Sequence, residues 1–219
     1  MKKLFSLFLG ITLMVASFSC EKWFNKDEDP GELKGDPSPM AEVGVTVSSS
    51  SAEIEGVSNF QATVTALKDG VSSYTGSATV TNPIIRDLFT KIPGITANGN
   101  TVTGKDIKLR QTTDGIELLS GPSAGILFKY GSEIGDSYPV GSAGKVRTVV
   151  SKTGEDDYGY GFMLIKTIQV EEATNKLKSA GISKITYVGN HRFGLVGFNV
   201  SLNDGTSVNF PVYTSAENK

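Results

Sequence analysis

Apolar residues alternate with polar or small residues along most of the chain after residue 42. The alternation is clear at Val43, Val45 and Val47, and again over Phe60–Ala66, which leads into an Asp-Gly pair. A period of two places one set of side chains on a buried face and the other in solvent, which predicts β-strands. Further strands are predicted at 77–81, 107–109, 116–119, 125–130, 145–152, 162–170, 182–188, 193–202 and 207–213.

Turn residues join several of these strands. Asp69-Gly70, Thr113-Asp114-Gly115 and Asn203-Asp204-Gly205 are typical of tight hairpin turns, because Gly and Asn tolerate the left-handed backbone that such turns need. The third turn predicts a meander at the end of the chain. Strands 145–152 and 162–170 are expected to pair with each other across the loop 154–161.

Two segments have helical spacing instead. Asn82 is a favourable N-cap, and the apolar residues that follow it to Lys91 recur every three to four positions until Pro93-Gly94. The second segment, Glu171–Gly181, has small and apolar residues on one face and a glycine at its end. The predicted fold is therefore mainly β, resembling a β-sandwich of antiparallel meanders with two short helices. An α+β fold is the alternative.

Composition agrees with many short strands, since the chain has 25 glycines and 9% aromatic residues. Residues 43–219 are enough for one β-rich domain, or for two lobes divided at the Gly-, Ser- and Pro-rich stretch 131–144. The formal net charge is −2, with no basic stripe, so nucleic acid is not an expected partner.

The first 19 residues have the pattern of a secretory signal peptide. Lys2 and Lys3 precede an apolar run of 15 residues, and small serines stand before Cys20. An uncleaved membrane anchor is the alternative, although a spanning helix needs about 20 apolar residues. Cys20 is the only cysteine of the chain. Its position after the small residues resembles the lipobox of Bacteroidetes-type outer-membrane lipoproteins, which implies that Cys20 is acylated and becomes the first residue of the mature protein.

Residues 20–42 are predicted to be the lipidated cysteine and a flexible acidic tether, because this segment is rich in proline and carboxylates and poor in apolar residues. The run Lys26–Asp29 resembles the acidic export signal of the same lipoproteins. The resemblance implies a lipid-anchored protein of the outer membrane, at the cell surface rather than on the periplasmic face. An EF-hand-like calcium loop in the tether is disfavoured, because Pro30 occupies the position that requires glycine.

Catalytic motifs are not found in the sequence. It contains no G-x-S-x-G elbow and no phosphate-binding glycine loop, and its single histidine has no partner at catalytic spacing. No metal site and no cofactor are predicted, since one histidine and one acylated cysteine leave only carboxylates. A hydrolase that uses two unmarked carboxylates stays an alternative, with these candidates: Glu117, Glu133, Asp136, Asp156 and Asp157.

Two segments are candidate ligand-binding sites. In the acidic loop before residue 162, Tyr158 and Tyr160 could stack on a ligand, and Asp156 and Asp157 could bond to it. The alternative is that these tyrosines only cover a sheet. The second candidate is the turn with His191 and Arg192, because loops commonly carry binding residues.

The favoured hypothesis is a non-catalytic binding module, held to a membrane through Cys20, for an extracytoplasmic ligand such as a glycan or a partner protein. A structural subunit of a surface assembly, docked by strand addition at a sheet edge, is the second hypothesis.

Overall fold

The computed structural model describes residues 33–49, 56–90, 94–121, 123–141, 145–173, 178 and 181–218. The anchor prediction at Cys20 lies outside these ranges. Leu33–Lys219 forms one compact unit. None of the helices in the described part of the chain is long and apolar enough to cross a membrane.

The described residues form sixteen strands and one short α-helix, and every strand pair is antiparallel. In chain order the strands are β1 Thr46–Ser48, β2 Val57–Lys68, β3 Val71–Val80, β4 Ile95–Asn98, β5 Thr101–Thr112, β6 Gly115–Leu118, β7 Gly125–Lys129, β8 Ser137–Pro139, β9 Val146–Lys152, β10 Tyr158–Tyr160, β11 Met163–Ile165, β12 Ile168–Glu172, β13 Ile182–Asn190, β14 Gly194–Leu202, β15 Ser207–Pro211 and β16 Tyr213–Thr214. The prediction of a mainly β, sandwich-like fold is confirmed.

Two sheets make up the body. The first has the order β16-β1-β2-β3-β5-β6-β7, with β4 also paired to β5, and it curls into a half-barrel. The second has the order β15-β14-β13-β12-β9-β8. The chain passes from the first sheet to the second between β7 and β8, within the stretch 131–144. Buried clusters contain side chains of both sheets, so the sheets are two layers around a shared interior.

The predicted hairpin turns are present. Asp69 and Gly70 both have left-handed φ angles, 51° and 74°, which gives a two-residue turn between β2 and β3. The turn before β15 contains Gly205 at φ 90°, and the Asp204 carboxylate accepts a hydrogen bond from the Thr206 amide at 2.9 Å. The terminal meander is confirmed, because β13, β14 and β15 are consecutive neighbours.

The first helix is also confirmed. Helix α1, Pro83–Thr90, begins after Asn82, whose side-chain oxygen accepts hydrogen bonds from the amides of Ile84 and Ile85 at 3.0 and 3.3 Å. Such a cap satisfies donors that a helix N-terminus leaves unpaired. Ile85 is 2% exposed and packs in a cluster of both sheets, so α1 covers one part of the core.

The second helix cannot begin where it was predicted. Glu171 and Glu172 continue β12 and pair with Thr186 and Ile185 of β13. Glu172 is buried in an ion pair, and this tertiary interaction outweighs the helical preference of the segment. Residues 174–177, 179 and 180 lie outside the described ranges, so the rest of the helix prediction is not tested.

Two further expectations require correction. Strand β9 pairs with 168–172 rather than with the whole of 162–170, because 163–165 turns back on β10 as a separate hairpin. The tether also ends earlier than residue 42. Leu33, Met40 and Ala41 are at most 5% exposed, because the segment Leu33–Glu42, here called the strap, packs against the sandwich.

Candidate functional site: an apolar cavity between the sheets

A cavity of about 240 Å³ lies between the two sheets. Its walls come from β2, β3 and β5 on one side, from β14 on the other, and from α1, β4 and the strap around them. None of the described residues that line it is charged. The large apolar lining residues are Met40, Val47, Phe60, Phe89, Ile95, Val102, Ile107, Leu109, Ile116, Phe193, Leu195, Phe198 and Val212.

A row of very small side chains creates this space. Ala62 of β2 pairs with Gly76 of β3, and Gly76 pairs with Gly104 of β5. All three residues line the cavity, so one rung across three strands gives it a wall with almost no side-chain volume. Glycine inside a strand often marks a place where a ligand or another backbone comes close.

The two glycines differ in what they could tolerate. A Cβ on Gly76 would meet the Gln61 carbonyl at 2.6 Å and the Ala62 Cβ at 2.7 Å, so the backbone packing requires glycine there. A Cβ on Gly104 would make ordinary contacts of 3.5 Å with Ile95 and Ile107. A larger side chain at position 104 would therefore occupy the cavity without a backbone clash.

Several lining side chains keep accessible surface although they lie between the sheets. Phe60, Phe89, Ile95, Leu109 and Phe198 are only partly buried, and all of them pack at the margin of a core cluster. Protein cores are normally densely packed, and apolar atoms that line a void lose the van der Waals contacts of such packing. The cavity therefore presents apolar area that a ligand could cover.

One polar group lies at the strap side of the cavity. The Gln111 side chain donates to the Met40 carbonyl at 3.1 Å and to the Tyr74 hydroxyl at 2.6 Å, and that hydroxyl lies 3.3 Å from the same carbonyl. Ser72 donates to the next carbonyl, of Ala41, at 2.7 Å. These bonds hold the strap against β3 and β5.

Burial dominates the acidity of Tyr74. It raises the pKa of Tyr74 from 10.0 to about 12, although the hydrogen bond from Gln111 acts in the opposite direction. Between pH 10 and 12 the folded protein therefore holds a proton that the unfolded chain releases, and stability should fall as pH rises through this range. We expect the free energy of unfolding of Tyr74→Phe to fall less steeply over this pH range, because its unfolding releases one proton fewer. Urea unfolding of both proteins at several pH values from 9 to 12 measures it, and parallel curves would contradict the assignment.

Tyr158 and Tyr160 lie on β10, and their rings face the protein. Tyr160 is 8% exposed, with ring centroids 4.9 Å from Phe193 and 5.2 Å from Tyr213. Tyr158 is half-buried, and its hydroxyl lies 2.8 Å from where a Cβ of Gly197 would be. Burial raises the pKa of both tyrosines. Their rings pack against the protein body. This arrangement agrees with the alternative interpretation, in which the two tyrosines only cover a sheet.

The neighbouring acidic residues stay in solvent. Asp156 and Asp157 are exposed before β10 and do not line the cavity. Within the described ranges, no three His, Cys, Asp or Glu side chains are grouped closely enough to hold a metal ion. The other hydrolase candidates have local bonds: Glu117 to Arg110 at 2.9 Å, Glu133 to Lys152 at 2.8 Å, and Asp136 to the Glu133 amide at 2.9 Å.

His191 and Arg192 form the turn between β13 and β14, and both are exposed. Arg192 makes two bonds to the Glu217 carboxylate, of 2.9 and 2.8 Å, which raise the pKa of Arg192 and lower that of Glu217. The His191 carbonyl accepts from the Asn218 side chain at 2.6 Å. These contacts attach the C-terminal segment to the turn.

A scan against protein-family models finds no match, and searches of curated proteins and of solved structures find none either. The cavity, which the sequence prediction missed, is the structural feature that bears on function. Its one signal in the sequence is the pair of glycines in the middle of strands, at positions 76 and 104.

Proposed function

We propose that the protein is an extracytoplasmic, lipid-anchored binding module that takes up an uncharged apolar molecule, such as an acyl chain, between its two sheets. The observation that carries the proposal is the cavity of about 240 Å³ with an apolar, uncharged lining. Its volume is roughly one and a half times that of a cavity which stays dry and binds benzene, about 150 Å³.

The chemistry of the lining supports an apolar ligand over a glycan. Sugar hydroxyls that lose water need hydrogen-bond partners, and each hydroxyl without one costs roughly 1–3 kcal/mol. The polar side chains Gln111 and Tyr74 already bond to each other and to the strap. An apolar ligand needs no such partners and gains about 25 cal/mol for each Å² of apolar surface removed from water.

Anchoring through Cys20 is the second part of the proposal. It is supported by the signal-like first 19 residues and by the position of the only cysteine of the chain directly after them. Two or more acyl chains on one residue give stable attachment to a bilayer, whereas a single chain gives only weak binding.

Filling the cavity should weaken ligand binding. The uncharged fluorophore N-phenyl-1-naphthylamine, titrated into the chain from Glu21 to Lys219, should saturate one site with increased emission. Gly104→Leu should weaken this binding at least about tenfold, because the leucine side chain occupies the ligand's place, and it should raise the free energy of unfolding by about 0.5–2 kcal/mol.

The matched control is Thr101→Leu, which adds the same side chain at an exposed position of β5. This variant should bind the fluorophore as the unaltered protein does. A Gly104→Leu protein that folds and binds with unchanged affinity would show that the fluorophore does not use the cavity, and would refute this site.

A further inference from the structure

The hairpin β10–β11 carries three exposed apolar side chains at and beside its tip. Phe162 is fully exposed, and Met163 and Leu164 are 50% and 60% exposed. We call Phe162–Leu164 the finger. It lies within an uncharged run, Tyr158–Ile165, bounded by Asp157 and Lys166. Monomeric proteins seldom expose adjacent large apolar side chains without a binding partner.

The base of this hairpin is firmly attached. Tyr160 and Ile165 are buried in a cluster with Val188 and Val196 of the second sheet, and Tyr158 packs at its margin. The finger is therefore held out by a packed support, and little conformational entropy needs to be lost when it binds.

The finger and the strap approach the same turn. On one side Tyr160 contacts Phe193, which follows His191 and Arg192. On the other side Asn218 bonds both to Ser38 of the strap, at 2.8 Å, and to the His191 carbonyl. The strap at Ser38 therefore passes close to the turn that also contacts the base of the hairpin.

We propose that the finger inserts into a lipid bilayer. The inference rests on the anchoring part of the proposed function and is independent of the cavity. Leu33 follows Cys20 by 13 positions, so even a fully extended connection reaches at most about 47 Å. An anchor at Cys20 keeps the finger at high effective concentration near the membrane, where three apolar side chains suffice for repeated insertion.

Carboxylates next to the finger determine which lipid composition it should enter. Glu155, Asp156 and Asp157 precede β10 and are exposed, so this loop carries three carboxylates. An anionic lipid surface repels such a cluster. The finger should therefore insert into zwitterionic phosphatidylcholine bilayers, and added anionic lipid should weaken the insertion.

The single cysteine allows a direct test. The chain from Cys20 to Lys219 can be coupled at its only thiol to maleimide-headgroup lipid in phosphatidylcholine vesicles, which imitates the anchor. Trp23 is the only tryptophan, so Phe162→Trp with Trp23→Phe gives a protein with one reporter in the finger. On coupling, its emission should shift to shorter wavelength, and brominated acyl chains should quench it.

The control places the reporter elsewhere. Ile134 is an apolar residue outside the finger that is 64% exposed, and Ile134→Trp with Trp23→Phe should show neither the shift nor the quenching. Absence of both effects for the finger reporter would overturn the proposal, as would a concentration-dependent shift without vesicles, which would indicate that the finger pairs with a second copy. Mass spectrometry of Cys20 in protein from its native host tests the anchor separately, because the coupled vesicles do not require natural acylation.

Discussion

Replacing Arg147 with Met should lower the free energy of unfolding by about 3–5 kcal/mol. The Arg147 side chain is fully buried and bonds to the Glu172 carboxylate at 3.0 Å and to the carbonyls of Ile126, at 2.9 Å, and of Ser123. Glu172 also accepts from Ser123 and from Tyr187. Removal of the guanidinium leaves a carboxylate in the interior without its countercharge, which costs more than the pair contributes.

Urea unfolding of the purified variant, followed by circular dichroism, measures this loss. The double variant Arg147→Met with Glu172→Gln should be more stable than the single variant, because no buried charge is left. Arg192→Met, which removes an exposed ion pair with Glu217, should lower stability far less than Arg147→Met, because solvent screens exposed charges. A single Arg147 variant as stable as the unaltered protein would show that the interior accommodates a lone carboxylate.

Truncating Phe128 to Ala should also cost about 3–5 kcal/mol, because it opens a cavity where both sheets meet. Phe128 of β7 is 0% exposed and packs in a cluster with Val149 and Val170 of the second sheet. The same substitution at Phe162, which is fully exposed, should change stability by no more than about 0.5 kcal/mol.

A second residue reports on the fit of this ring. A Cβ on Gly189 would lie 2.7–2.8 Å from three ring carbons of Phe128, so Gly189→Ala should cost about 1–3 kcal/mol through overpacking. The double variant Gly189→Ala with Phe128→Leu should lose less stability than the sum of the two single variants, because the smaller leucine leaves room for the added methyl group. Strict additivity in unfolding experiments would contradict a contact between these positions.

The elements that could be predicted are those encoded by nearby residues. The turn at Asp69-Gly70, the Asn82 cap of α1 and the meander after β13 each follow from a few adjacent side chains, and all are present. Strand β12 shows the limit of such reasoning. Glu171 and Glu172 read as the start of a helix, but the partner that draws Glu172 into a sheet, Arg147, lies 25 positions earlier.

The cavity could not be predicted for a related reason. It depends on the register that aligns Ala62, Gly76 and Gly104, and register between distant strands is not visible in alternation alone. The segment 154–161 was predicted to be a loop between strands 145–152 and 162–170, whereas Tyr158 and Tyr160 lie on strand β10 of a separate hairpin. The burial of the Tyr160 ring depends on its packing against Phe193 and Tyr213, which only the folded chain brings together.

The hydrogen bond between Ser38 and Asn218 joins the two ends of the folded unit, and this limits how far a recombinant fragment can be shortened. A fragment that starts at residue 43, where alternation begins, would lose Leu33, Met40 and Ala41 from the core, and Met40 is also a lining residue of the cavity. Removal of the last few residues would release the same segment from the other end. A shortened gene should therefore start before codon 33 and retain codon 218.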